Sequence, residues 1–471
     1  MDAAAGASRR RPRHASRRGR LRNFHGGALT AVEHRYLPLA PADRAEMLKT
    51  IGVDSQEDLF ASLPAGVRRA PELPEGLSEQ ELVEYFTTIA RENRDLTQLD
   101  GFLGAGAYRR FIPAAVTQVI SRPEFFTAYT PYQAEASQGW LQSIFEFQSM
   151  IAELTAMDVA NASMYEAATA TAEAAVMAVV HTERHRIVVA GTIHPEYLAV
   201  LRTYGAGRDF EVVELVADSG RIDPERAAAA LDGAAALIIQ QPNFYGALED
   251  AAALCQAAHT AGALAVAACD PIALALIEAP GEFGADIAVG ECQQLGIPLW
   301  YGGPYCGYLA ASTELLRKIP GRLVGETVDE RGQRGFVLTL QAREQHIRRE
   351  SATSNICTNQ ALIALGATAY MGVMGAAGLA RVAEISVQRA HHLAGELAGV
   401  RGYSIGFDAP FLWEFVLRCP GPASETLAKL RDRDILGGLD LAASGLPDCV
   451  LVAVTEMNSP RSLAKYVEAL S

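Results

Sequence analysis

From about residue 185 onward, short apolar runs alternate with helical stretches, and that alternation leaves few folds open. Residues 187–190, 210–215, 235–240 and 263–268 read as strands, with 195–204, 223–231 and 249–261 as the helices between them. Residues 287–290 and 308–311 close the series. Most of these strands are continuously apolar, so each needs cover on both faces. Strands of that kind joined by helical crossovers form a mostly parallel sheet. Ligands in such sheets bind outside the carboxyl ends of the strands.

The rest of the chain frames this core. Trp140, Ile144, Phe147, Ile151 and Leu154 recur at helical spacing and form one buried stripe. Upstream, residues 43–51 and 54–63 read as short helices. Ser78 with Glu81 forms a capping box that opens a third, turning Leu82, Tyr85 and Phe86 inward. Residues 320–350 bring charged turns and a basic helix. A long Ala-rich helix follows Asn359, and 411–417 and 450–454 read as strands of a second α/β region. The expected organisation is a basic, disordered head (1–32), a helical region packed on a larger body (33–100), a large α/β domain (101–320) and a smaller C-terminal α/β domain (321–471).

Composition excludes some functions. The net charge is −14 although residues 1–30 carry eight arginines against one acid, so the body is more acidic still. Such a body cannot displace counterions from a phosphate backbone, and nucleic acid is not an expected partner. Seven cysteines show no C-x-x-C pair and sit mostly in apolar runs, which suits free thiols in a reducing, cytoplasmic setting. No metal-ligand spacing appears, and the Ala-rich stretches read as too interrupted for a membrane span. The Arg-rich head is basic and acid-poor like a transit peptide but lacks an apolar face, and reads as a disordered tail or an over-extended start rather than as a targeting segment.

Several polar clusters could carry chemistry. Asp270 follows the strand at 263–268, where a carboxylate can pair with a buried cation or cap the turn at Pro271. Residues 161–169 place small hydroxyl residues at a helix N-terminus, a phosphate position in principle. Glu166 puts a negative charge at that point. The loop Tyr129-Thr130-Pro131-Tyr132-Gln133, with Glu135 and Ser137, is the densest polar and aromatic stretch, able to wall a pocket or cover a core edge. Gly104 and Gly106 lack the remainder of a dinucleotide fingerprint. His194 precedes Pro195 at a helix start, where it can stack on a ligand or cap the helix.

The stretch DIAVGECQQLGIPLWYGGPYCG at 286–307 resembles the strand and loop that carry the Schiff-base lysine of pyridoxal phosphate (PLP) enzymes of fold type I, the aspartate-aminotransferase-like fold. The lysine is missing. Gln293 and Gln294 stand where it is expected, and an amide cannot form an imine. The chain has only four lysines, Lys49, Lys318, Lys429 and Lys465.

Longer strings sharpen the resemblance. They include RYLP (35–38), FLGAGAYRRFIP (102–113), TAYTPYQAEASQGWLQ (127–142), ANASMYEAATA (160–170), HPEYLAVLRTY (194–204) and QPNFYGALED (241–250). With IPGRLVGETVDERGQRGFVLTLQAREQHIRRE (319–350), SNICTNQ (354–360) and VAVTEM (452–457), the chain resembles the glycine-cleavage-system P-protein family over residues 33–471. The likeness is to the alpha chain of its two-subunit form. It departs from the family pattern at Glu166-Ala167, where Asp-Gly is usual, and at Ser351, where a lysine is usual.

That resemblance implies the following. A beta subunit carries the lysine and PLP, and pairs with this chain, in an alpha2beta2 assembly. Glycine loses carbon dioxide and its aminomethyl group passes to the lipoyl group of the H-protein. Tyr129, Thr130, Tyr132, Glu135 and Ser137 wall the shared pocket near the partner's cofactor, while Asp270 and Gln293 remain from a lost site. Two other readings are a self-sufficient PLP enzyme using Lys318, and a non-enzymatic scaffold of the same fold.

Overall fold

The computed structural model describes residues 39–64, 66–67, 76–217 and 219–471. The expected head, 1–32, lies outside them. The chain divides into two compact units, Met1–Ala90 and Arg91–Ser471. In the first, helices Pro41–Ile51 and Glu79–Ala90 flank a 3-10 turn at Glu57–Phe60. The capping box is present: the Ser78 backbone N–H donates to Glu81 Oε2 at 2.9 Å, and the Glu81 N–H to Ser78 Oγ at 3.3 Å. Leu82, Tyr85 and Phe86 stay largely exposed rather than turned into a core, because the described part of this unit buries no residue of its helices.

The second unit is built on a seven-stranded sheet. Its order is Val159–Ala160, Gly307–Ala311, Ile287–Glu291, Leu264–Cys269, Ala236–Gln241, Arg186–Ala190, Glu211–Leu215. The last five in that order run parallel, and Gly307–Ala311 is antiparallel to its neighbours. Side-chain alternation sorts the apolar runs into two cores. Val188, Leu237, Ile239, Ala265 and Ala267 pack on one face; Ile187, Val189, Ile238, Val266 and Val289 pack on the other. Both faces are therefore covered, which is why the strands read as unbroken apolar runs. The Ala-rich helix Ala167–Thr182 lies on the second face and points its N-terminus at the carboxyl ends of the central strands.

Helix Gln138–Thr155 buries Trp140, Ile144, Phe147 and Ile151, as their spacing requires. Two of its glutamines bond to the hairpin Leu323–Val328/Arg334–Thr339 as an extra strand would. Gln148 exchanges both hydrogen bonds with Val324, and Gln138 with Phe336, at 2.8–3.0 Å. The basic helix expected near 340–350 breaks into three short turns, since Leu340 and Arg349 adopt positive φ. A four-stranded antiparallel sheet closes the chain, in the order Ser404–Ile405, Glu414–Arg418, Cys449–Ala453, Leu439–Asp440.

Helix Ala361–Ala398 corrects one expectation. Among the described residues it is long and apolar enough, by composition, to cross a membrane. Half of that apolar window is buried in the protein, and Ile363, Ala367, Tyr370 and Leu379 belong to the main core. It breaks at Gly375 (φ 59°, ψ 179°), a backbone state open essentially to glycine alone.

Close packing at the strand ends yields a test. A Cβ on Gly290 would meet the Cys269 carbonyl oxygen at 2.2 Å and the Tyr308 ring at 2.4 Å. Gly290→Ala should destabilise the fold by about 1–3 kcal/mol, seen as a lower denaturant midpoint at an unchanged m-value.

Candidate active-site remnant and interface loop

The carboxyl ends of the central strands converge on a small polar pocket. Asp270, Glu291, Gln294, Tyr197, Trp413 and Glu414 line it, and its free volume of ≈ 50 Å³ holds a few waters. Asp270 sits one residue past strand Leu264–Cys269. Its Oδ1 accepts from the backbone N–H groups of Ile272 (2.9 Å) and Ala273 (3.2 Å), so it caps the turn as well as facing the pocket. Burial raises its pKa, opposed by Arg110 and by the Gln294 amide.

Of the two adjacent glutamines, the structure brings Gln294 to Asp270, not Gln293. The Gln294 amide donates to Asp270 Oδ2, and its Oε1 accepts from Arg110 Nε (2.9 Å) and Nη2 (2.7 Å). Gln293 turns the other way. Its Nε2 donates to the carbonyls of Tyr108 (3.0 Å) and Ile297 (2.8 Å), and its Oε1 accepts from the Tyr108 N–H (2.8 Å). Gln293 is thus a buried backbone tie and does not line the pocket.

Arg110 is the hub behind the pocket, and reading the motif at 102–113 did not single it out. It pairs with Glu456 at 2.8 Å, donates to Ser386 Oγ at 2.7 Å and stacks 4.7 Å from the Trp413 ring. Three separated stretches of the resemblance, 102–113, 286–307 and 452–457, meet here with the long helix Ala361–Ala398. Glu414 is also new. It accepts from Tyr108 Oη (2.6 Å) and the Ala105 N–H (2.7 Å), and burial pushes its carboxyl up to about 7.

The helix N-terminus beside the pocket is filled by the protein's own carboxylates. Glu166 accepts from the Thr169 N–H (2.8 Å) and its hydroxyl. Glu291 accepts from the N–H groups of Ala167 (3.2 Å), Gln293 (3.1 Å) and Cys306 (3.2 Å). Burial pushes Glu291 up to about 8. PLP does not fit this pocket: no lysine lines it, two acids hold the donors a phosphate would need, and little space remains. Lys318 cannot substitute. Its Nζ lies 2.9 Å from His181 Nδ1, at the opposite end of the Ala167–Thr182 helix, roughly 20 Å from the pocket at 1.5 Å per residue.

His194 is a cap. Its Nδ1 accepts from the Glu196 N–H (3.1 Å), which leaves the proton on Nε2 to donate to the Ala105 carbonyl (3.0 Å). Its ring stacks on Tyr197 rather than facing free space.

The loop at 129–137 forms a different feature. Tyr129, Thr130 and Ser137 line a cleft of ≈ 360 Å³ with Phe125 and Trp140. It shares no lining residue with the Asp270 pocket. Tyr132 and Glu135 stand outside the cleft, and Tyr129 and Tyr132 are each 72% exposed. Ser137 precedes the Trp140 helix but makes no side-chain cap.

Comparison with known proteins gives this geometry a family. The family profile described as glycine cleavage system P-protein matches residues 34–470. The chain belongs to the glycine cleavage system P-protein family. It is 49% identical over 438 residues to a Chloroherpeton thalassium protein named "Probable glycine dehydrogenase (decarboxylating) subunit 1", covering 92% of this chain and 99% of the relative. A protein of the same name from Brevibacillus brevis is 48% identical, covering 93% of this chain and 100% of the relative. A solved structure of glycine decarboxylase (P-protein) in inhibitor-bound form superposes with a TM-score of 0.86 at 42% identity, covering 92% of this chain and 99% of that one. Aspartate aminotransferase from Thermus thermophilus superposes at 0.55 with 15% identity, over 79% and 99% of the two chains, and shares the fold type I architecture.

The raised carboxyls of this P-protein family member predict a pH dependence. Glu414 and Glu291 ionise in the folded state only near 7 and 8, against an ordinary value of 4.5. Between those limits the folded state holds the extra protons, so stability should fall as pH rises from about 5 to 8. Melting temperatures across that range should show the decline, and Glu291→Gln should make it shallower while Glu414 still contributes. An unchanged slope in the variant would remove Glu291 as its source.

Proposed function

We propose that this chain is the cofactor-free subunit of a two-subunit glycine decarboxylase, with PLP and its lysine on a second subunit. The observation that carries the reading is the closed pocket. Gln294 spans Arg110 and Asp270, and Glu166 and Glu291 take up the helix N-terminus. A chain so built has lost its own cofactor site while keeping the fold. The names of its relatives include the words subunit 1, which supports a second chain.

In this reading the working surface of the chain is the exposed loop. Tyr129, Thr130, Tyr132, Glu135 and Ser137 would present aromatic and hydroxyl groups to the partner's site, exclude water from it and orient the bound glycine. The reaction releases carbon dioxide from glycine and passes the aminomethyl group to the lipoyl disulfide of the H-protein. Two such pairs would assemble as alpha2beta2. Seven unpaired cysteines, six of them buried, support a cytoplasmic setting.

The test is reconstitution. The isolated chain should bind no PLP and show no glycine–bicarbonate exchange, and the second subunit should restore both. Gln293→Lys and Gln294→Lys should each fail to trap PLP on borohydride reduction, since the first side chain points away and the second would set a cation against Arg110. Exchange activity from the isolated wild-type chain would contradict the reading.

A further inference from the structure

We infer that Arg322 forms, with Thr130 and Thr358, a subsite for a small oxyanion at the cleft under the 129–137 loop. This rests on the reading that the cleft belongs to a shared active site. Arg322 is 4% exposed. Its Nη1 donates to Thr130 Oγ1 and Thr358 Oγ1, both at 3.0 Å, and its Nη2 to the Cys357 carbonyl at 3.2 Å. The exposed Tyr132 ring lies over the guanidinium at 5.8 Å. Every one of these partners is neutral. Among the described residues, no carboxylate forms an ion pair with it.

That arrangement is unusual for a buried cation, which ordinarily has a counter-charge because desolvation is costly. The other buried arginine hub, Arg110, has Glu456 as its partner. Arg322 has planar donors and two hydroxyl partners that can also donate; of the three residues Thr130 alone lines the cleft of ≈ 360 Å³, so Arg322 and Thr358 stand directly behind its wall. Glu124, the acid lining that cleft, is held by Arg122 at 2.6 Å. The missing counter-charge therefore fits a carboxylate or a phosphate monoester arriving from outside the chain.

The surroundings hold Arg322 for this task. The Tyr165 hydroxyl accepts from the Cys357 N–H (3.0 Å) and the Thr358 N–H (3.4 Å), Ser163 Oγ accepts from the Gln360 N–H (3.0 Å), and Asn359 donates to the Ala162 carbonyl (2.8 Å). Motifs 160–170 and 354–360 thus fix the carbonyl and hydroxyl that orient the guanidinium.

The experiment uses the co-expressed pair of subunits with Arg322→Gln and Arg322→Lys. Activity of the wild-type pair first establishes the shared site; its absence counts against that reading and leaves Arg322 to be tested by PLP retention alone. If the oxyanion is the substrate carboxylate, Arg322→Gln should raise the glycine KM by about tenfold or more with kcat largely kept. If it is the phosphate ester of the partner's cofactor, equilibrium dialysis should show PLP lost from the variant about tenfold more readily. In either case Arg322→Lys, which keeps the charge but not the planar donors, should recover part of the effect. Unchanged KM and PLP retention in a folded Arg322→Gln pair would overturn the inference. So would equal impairment of both variants with loss of assembly, the signature of a structural tie.

Discussion

The contacts around the Asp270 pocket turn on Arg110. It is a buried cation held between Glu456, Ser386, Gln294 and the Trp413 ring. Removing one partner of such a pair would leave a desolvated charge, so the whole set is over-determined. Through it, the strand ends of the large sheet, the long Ala361–Ala398 helix and the C-terminal sheet are joined at one point. Gln294 is the piece that makes the join work. Its carbonyl accepts from the guanidinium while its amide donates to Asp270. A lysine has no acceptor lone pair and would bring a second positive charge. The amide is therefore suited to this position, and the chemistry of an imine-forming amine is not.

The same logic closes the other side. A helix N-terminus offers unpaired N–H donors, and here carboxyl oxygens of Glu166 and Glu291 take them up from within the chain. Glu291, Glu414 and Asp270 put three acids in the lining of a small pocket, and burial keeps their protons on to higher pH than usual. A pocket of this kind is part of the core. In the proposed reading, surface chemistry falls to the 129–137 loop, whose tyrosines are exposed and whose Thr130 accepts from Arg322, a buried arginine that has no carboxylate partner among the described residues.

Much of this was readable in advance, and the exceptions have physical causes. Strands and crossovers of the large sheet follow from continuous apolar runs, and each expected strand there lies within a residue of its observed bounds. Asp270 was legible because its place after a strand is a property of chain order. Gln294 was not separable from Gln293, because which of two neighbours in a turn faces a pocket depends on backbone direction. Arg110, Arg322 and Glu414 were missed for a related reason: a charged residue reads as surface unless its partners, some 300 residues away for Glu414, are known. The basic helix near 340–350 failed because Arg349 takes positive φ, which composition does not signal. The long Ala-rich helix looked too interrupted to be a span, yet glycine scattered through it costs little until Gly375, where the chain turns.

The most direct measurement is a count of cofactor. PLP released in alkali and quantified against protein concentration should give one PLP per pair of subunits, and none on this chain purified alone. Two PLP per pair, or one on the isolated chain, would contradict the claim that Gln294, Glu166 and Glu291 have closed this chain's own site.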